Sequence, residues 1–217
     1  AQEEMHRFDG YWWSPDSGHI ACFTVDEAPV QTSVRYEIDA DDFKVFEQRY
    51  PFTGTPNAHV SVQVIDVHSG NVLQLPFEGD STSYLARLTW RPDSSGVAVQ
   101  IQSRDQQTLR LDEYSLESRV TTTLLTETSA TWINLHDDLR FVADGGWLWT
   151  SERDGNRHLF RYRDANSPPE QLTRGGWNVT GLLAVDEAHG AVSLSALKDT
   201  ALEQHVYRLD LATGALQ

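Results

Sequence analysis

The sequence repeats itself, and the repeat limits what it can fold into. Four stretches carry one pattern of strand end, polar turn and return strand: DVHSGNVLQLPF at 66–77, YSLESRVTTTLLT at 114–126, RDANSPPEQLT at 163–173 and DLATGALQ at 210–217. Their leading halves also correspond, with WWSPDSGHIACFTVD at 12–26 answered by TWRPDSSGVAVQIQS at 89–103. In both, W-x-P-D ends a strand in a turn, because proline presets φ and aspartate bonds the backbone that follows. The third unit keeps TWINLHDDLRFVADGGWLWTSE and the fourth WNVTGLLAVDEAHGAVSLSAL. Tyr84 lies 47 residues before Thr131, and Thr131 lies 47 before Asn178.

Within the units, HVSVQVIDV, GVAVQIQS and AVSLSAL alternate apolar with polar residues, the period of a strand rather than a helix. A repeat of about 40 to 50 residues with four strands is the signature of a β-propeller blade. The predicted fold is therefore all-β, a partial propeller of about four four-stranded antiparallel blades. The blades are placed at 9–78, 83–126, 131–173 and 177–217, the last incomplete. The first is lengthened by an insertion at 27–56, read as a hairpin arm. Four blades do not close a circle and an unpaired sheet edge is a liability, so the chain is expected to be part of a larger protein, cut inside a blade.

Composition narrows the partners. The formal net charge is −15, which repels phosphate backbones and anionic lipid, so neither nucleic acid nor a membrane surface is an expected partner. A cationic ligand matches better, although acidity also serves solubility alone. Cys22 is the single cysteine, which excludes an intrachain disulfide and a thiolate cluster; its setting, HIACFTV, suits a small buried hydrophobe. No apolar run reaches the length of a membrane span, and this segment holds no signal peptide.

Self-contained chemistry is missing. G-x-S-x-G, H-E-x-x-H, G-x-x-x-x-G-K and G-x-G-x-x-G do not occur, so no catalytic residue and no cofactor is expected in this chain. Asp39, Asp41 and Asp42 lack the glycine and terminal glutamate of a calcium loop and read as a solvated hairpin tip; no metal site is expected. Asn178-Val179-Thr180 fits a glycosylation sequon but falls in an expected strand. Most tryptophans read as blade packing, with Trp12 the one adjoining an acidic pair.

That pair is Glu3 and Glu4 in AQEEM. On a strand, neighbouring side chains face opposite ways and could not share a ligand. On a helical turn they diverge by about 100° and can converge on one point, and AQEEM is made of good helix formers. A short N-terminal helical turn is thus the conformation that allows a site. Two carboxylates held together repel unless a cation neutralises them, and a primary ammonium, with three donors and no acceptor, suits that task. The other reading is a solvated surface pair.

AQEEM followed by GYWWSPD resembles the propeller of bacterial dipeptidyl peptidase IV, of the prolyl oligopeptidase group of serine peptidases. VDEAPV at 25–30, EQRYPFTGTPN at 47–57, YLARLTW at 84–90, QSRDQQTL at 102–109, NLHDDLRF at 134–141 and KDTALEQHVY at 198–207 carry the resemblance along the whole chain. It implies an eight-bladed ring joined to an α/β-hydrolase domain with a Ser-Asp-His triad, releasing dipeptides with Pro or Ala at the second position. It implies that Glu3 and Glu4 grip the substrate α-ammonium. Asp137, Asp138 and Arg140, in the loop NLHDDLRF, would line the substrate tunnel, with an ion pair bracing a turn as the other reading. Expected partners are peptides with a free N-terminus, the missing blades and hydrolase domain of the same polypeptide, and in full-length form a second copy. The implied location is the bacterial periplasm or outside the cell, and this segment alone is expected to be inactive. The competing class is a non-enzymatic propeller that serves as a protein-binding scaffold.

Overall fold

A computed structural model describes residues 5–217. The expected helical turn at Glu3 and Glu4 lies outside the described residues. By internal contacts the chain divides into two compact units, Ala1–Thr121 and Thr122–Gln217.

In the first unit, β1 (Tyr11–Trp13) and β2 (His19–Asp26) precede the arm strands β3 (Thr32–Ile38) and β4 (Phe43–Arg49), which β5 (His59–Asp66) and β6 (Val72–Gly79) follow. β1, β2, β5 and β6 form one antiparallel sheet in that order, so the arm is spliced between paired neighbours. β7 (Ser83–Trp90), β8 (Gly96–Ser103) and β9 (Thr108–Ser115) belong to a second four-stranded meander, whose last strand, β10 (Thr121–Thr128), falls in the second unit from Thr122 on. Alternation does what the sequence requires: Val62, Val64, Leu75 and Phe77 of the first sheet pack with Leu88, Val97, Val99 and Tyr114 of the second in one core. Gly96 is compulsory where the sheet tightens, because a Cβ there would meet the Tyr114 carbonyl oxygen at 2.5 Å.

The W-x-P-D turns are built from their own side chains. Asp16 Oδ1 accepts from Ser14 Oγ at 2.6 Å and from the Gly18 amide at 2.9 Å. The two copies also touch, since Trp90 Nε1 donates to the Trp12 carbonyl at 3.0 Å and the Asp16 amide donates to Ser94 Oγ at 3.1 Å. The repeat is therefore also a packing device.

The arm is a two-stranded ribbon with two unlike faces. Its register pairs Ile38 with Phe43, Tyr36 with Val45 and Val34 with Glu47 on one face, and Glu37 with Lys44 and Arg35 with Phe46 on the other. Asp39, Asp41 and Asp42 sit in the exposed tip between the strands.

In the second unit, β11 (Arg140–Phe141), β12 (Trp147–Ser151), β13 (His158–Tyr162) and β14 (Glu170–Gln171) form a third four-stranded sheet. β15 (Val179–Asp186), β16 (Ala191–Thr200) and β17 (Glu203–Asp210) form a three-stranded sheet, beside which a single bridge pairs Leu209 with Leu216. Leu148, Leu159, Val179, Leu182, Val192 and Leu194 make the core. The protein is all-β, built of successive antiparallel sheets, as the periodicity requires.

The stretch NLHDDLRF, a loop by the sequence reading, contributes only the two residues of β11, and 129–139 runs as a connection. Asp138 is the physical reason: its carboxylate is buried in ion-paired and hydrogen-bonded contacts that an outward-facing ladder position could not supply. Asn178 also stands one residue before β15, where its Oδ1 accepts the Arg157 amide at 2.8 Å.

Candidate functional site

The 129–139 connection borders a cavity. Within the second unit, the 129–139 connection, the end of β10 and the β12–β13 turn enclose about 450 Å³, lined in part by Glu127, Trp132, Asn134, Glu152, Arg153 and Arg157. Trp132 is 58% exposed, unlike the fully buried Trp147 and Trp149 of the neighbouring strand.

Two ion pairs shape the walls. Asp138 Oδ2 accepts from Arg157 Nη2 at 2.5 Å and from Thr150 Oγ1 at 2.7 Å, while Oδ1 accepts the Leu182 amide at 2.8 Å. Burial works against ionising this carboxyl, but the charges of Arg157 and His136 and the hydrogen bonds outweigh it, so its pKa lies below the ordinary value. The His136 ring sits edge-on to Trp149 with centroids 4.2 Å apart, and its Nδ1 accepts the Asp138 amide at 3.3 Å.

The second pair joins Glu127 to Arg153. Glu127 Oε1 accepts from Arg153 Nη2 at 2.5 Å and from Trp149 Nε1 at 3.2 Å. Arg153 also donates to the Tyr162 hydroxyl at 2.5 Å and to Ser151 Oγ at 2.9 Å, and its guanidinium lies 4.5 Å above the Phe160 ring. Burial opposes its charge, yet Tyr162 and Glu127 raise its pKa overall, so the cation is held in one geometry.

Of the residues singled out in the sequence, Glu3 and Glu4 fall outside the described residues. The segment that follows them is tied down: Arg87 Nη2 donates to the Met5 carbonyl at 2.5 Å, Arg7 Nη1 donates to the Leu85 carbonyl at 2.9 Å, and the Arg7 guanidinium lies 4.4 Å over the Phe23 ring. Asp138 is buried, and Arg140 donates to the carbonyls of Asp137, Leu139 and Leu182. Asp137 is exposed, and none of these three lines the cavity. Sequence reasoning missed Glu127, Arg153 and Arg157; their partners stand 26 and 19 positions away, with no local motif to flag them.

A family model described as the dipeptidyl peptidase IV (DPP IV) N-terminal region matches residues 1–217. The chain belongs to that family. A probable dipeptidyl-aminopeptidase B of Emericella nidulans is 28% identical over 92% of the chain and 25% of its own length. A probable dipeptidyl peptidase 4 of Aspergillus fumigatus is 25% identical over 93% of the chain and 28% of its own length. The crystal structure of Porphyromonas gingivalis dipeptidyl peptidase 4 superposes with a TM-score of 0.87 at 25% identity, covering all of this chain and 31% of that one. A putative dipeptidyl aminopeptidase IV from Bacteroides ovatus superposes at 0.82 with 23% identity, over 95% of this chain and 32% of that one. This DPP IV N-terminal region thus spans about a quarter to a third of the proteins it matches. No helix among its described residues is long and apolar enough to cross a membrane.

Proposed function

We propose that this DPP IV N-terminal region is the substrate-anchoring part of a serine exopeptidase that releases N-terminal dipeptides with Pro or Ala in second place. The observation that carries the reading is the family match over the whole chain. Catalysis is assigned to a hydrolase domain elsewhere in the polypeptide, and this region alone is inactive. Glu3 and Glu4 hold the substrate α-ammonium, which fixes the second peptide bond at the nucleophile. The latch of Arg87 on Met5 supports this role, because a clamp needs a fixed base next to it. Access is gated at the 129–139 connection by exposed Asp137, with Asp138 and Arg140 bracing it. The location is the periplasm or outside the cell.

The arm is assigned to contact with a second copy. Val34, Tyr36, Ile38, Phe43 and Val45 form one apolar face, each more than half exposed, and a lone two-stranded ribbon is marginal in water. Tyr36→Lys in the full-length product should lower the mass seen by light scattering.

The test of the main reading is hydrolysis of Gly-Pro-p-nitroanilide by the full-length gene product, beside its N-acetylated form. Cleavage of the free amine only is expected, weakening above about pH 8 as the α-amino group deprotonates. Glu3→Gln or Glu4→Gln should lower kcat/KM by about 10- to 100-fold, the loss of one charged hydrogen bond. Equal cleavage of the acetylated substrate would sink the ammonium clamp.

A further inference from the structure

Five non-glycine residues among those described have a positive φ: His6, Ser17, Ser94, Gln106 and Arg119. The last four close turns between successive strands, and each sends its amide back to a carbonyl three or four residues earlier. His6, at φ +49°, joins no two strands; it follows Met5 and precedes β1. An L-residue held there crowds its Cβ against a carbonyl oxygen, and such positions collect where a site needs a fixed direction of chain. The His6 side chain is exposed and makes no hydrogen bond or ion pair among the described residues, so packing of the imidazole does not account for the conformation.

The ties lie on either side of it. The Met5 carbonyl accepts from Arg87 Nη2 at 2.5 Å; Arg7 Nη1 donates to the Leu85 carbonyl at 2.9 Å, with its guanidinium 4.4 Å over the Phe23 ring. Both ties land on a second irregularity. The β7–β8 register pairs Leu85 with Ile101 and Arg87 with Gln100, which leaves Ala86 as a bulge. Arg87 Nη1 returns to the Ala86 carbonyl at 3.0 Å, so the guanidinium that holds Met5 is itself held by the bulge. A left-handed residue and a bulged edge strand are thus fastened to each other at two points. A plain connection into β1 needs neither feature.

We propose that His6 is a positioning residue: its left-handed backbone, locked to the Ala86 bulge, sets the angle at which the chain carrying Glu3 and Glu4 meets a substrate α-ammonium. The proposal rests on the ammonium-clamp reading and adds the backbone device that gives the clamp its direction.

The experiment compares the full-length gene product with His6→Val, His6→Ala and His6→Gly. β-Branched valine is strongly disfavoured at this φ, alanine less so, and glycine adopts it freely. Calorimetry measures Kd for valyl-pyrrolidide and for 3-methylbutanoyl-pyrrolidide, the same molecule without its ammonium. The ratio of the two reads ammonium recognition and cancels a general loss of folded protein or of the rest of the pocket. The expected preference for the ammonium form falls about tenfold in His6→Val, falls less in His6→Ala and is kept in His6→Gly. Alanine carries the test if the valine variant folds poorly. An unchanged preference in both His6→Val and His6→Ala overturns the proposal, and so does an equal loss in His6→Gly, which would place the effect in the imidazole. No preference in the wild type overturns the clamp reading and this proposal with it. If Gly-Pro-p-nitroanilide is not hydrolysed, yet the wild type prefers the ammonium form and His6→Val loses that preference, the peptidase reading fails and the role of His6 stands.

Discussion

Arg87, on β7, donates to the carbonyl oxygen of Met5, 82 residues earlier in the chain. Arg87 is buried, 8% exposed as a residue, and its guanidinium also donates to the Ala86 carbonyl at 3.0 Å, so the chain beside the acidic pair is held from within the sheet. Arg7 adds a second tie to the same strand, with its pKa lowered by burial and by the nearby Arg87 charge. Arg87→Met keeps the apolar stem and removes the latch. In the full-length product it should raise KM for a dipeptidyl anilide more than it lowers kcat, with a stability loss of about 1–3 kcal/mol for the unsatisfied carbonyl. Equal loss in kcat and kcat/KM would place Arg87 in the chemistry instead.

Asp138 should make the second unit sensitive to acid. Its pKa is depressed in the folded state, so its contribution is complete above the unfolded carboxyl value of about 4 and is lost as pH falls through the lowered folded value. The gap in unfolding free energy between wild type and Asp138→Asn should therefore close between about pH 5 and pH 2. At neutral pH, Asp138→Ala should cost about 2–3 kcal/mol, because half-buried Arg157, the Thr150 hydroxyl and the Leu182 amide lose their common acceptor. Urea titrations across that pH range measure both.

Arg119 occupies a left-handed position, φ +61°, in the turn after β9. The corresponding turns after β5 and β17 place Gly70 at +70° and Gly214 at +71°, each with its amide donating to a carbonyl four residues back, as Arg119 does to Ser115. Arg119→Gly should stabilise the protein, by about 0.5–1 kcal/mol, and Gly70→Ala should destabilise it by a similar amount. Thermal melts decide; a lower Tm for Arg119→Gly contradicts the argument.

Arg49 clasps the base of the arm. One nitrogen, Nη1, donates to the carbonyls of Glu27, Ala28 and Val30 at 3.0, 3.2 and 2.9 Å. Arg49→Ala should speed amide exchange over 27–50 while leaving exchange in β8 unchanged, since the arm shares no ladder with the sheets. Uniform acceleration throughout the first unit would show that the clasp supports the core as well.

Much of this was readable from residues alone. HVSVQVIDV, GVAVQIQS and AVSLSAL announce β5, β8 and β16 because side-chain direction alternates along a strand, and the arm announces itself as an alternating pair spliced into a repeat. The cavity was not readable. NLHDDLRF reads as a loop, and nothing in that string records that Asp138 would be met by Thr150, Arg157 and the Leu182 amide. Glu127 and Arg153 are likewise ordinary surface residues until β10 and the β12–β13 turn bring them together.

The sequence by itself determined the class of fold, the number of repeating units, the turn positions and the acidic pair, because period, proline, glycine and aspartate act locally on the chain. Tertiary structure alone decided that Asp138 is buried against distant partners, that two arginines become charge-balanced walls of a cavity, and that Trp132 is left open while Trp147 and Trp149 are buried. Those outcomes depend on paired charges and hydrogen bonds between distant residues, whose energies exist only after the sheets have placed the partners within reach.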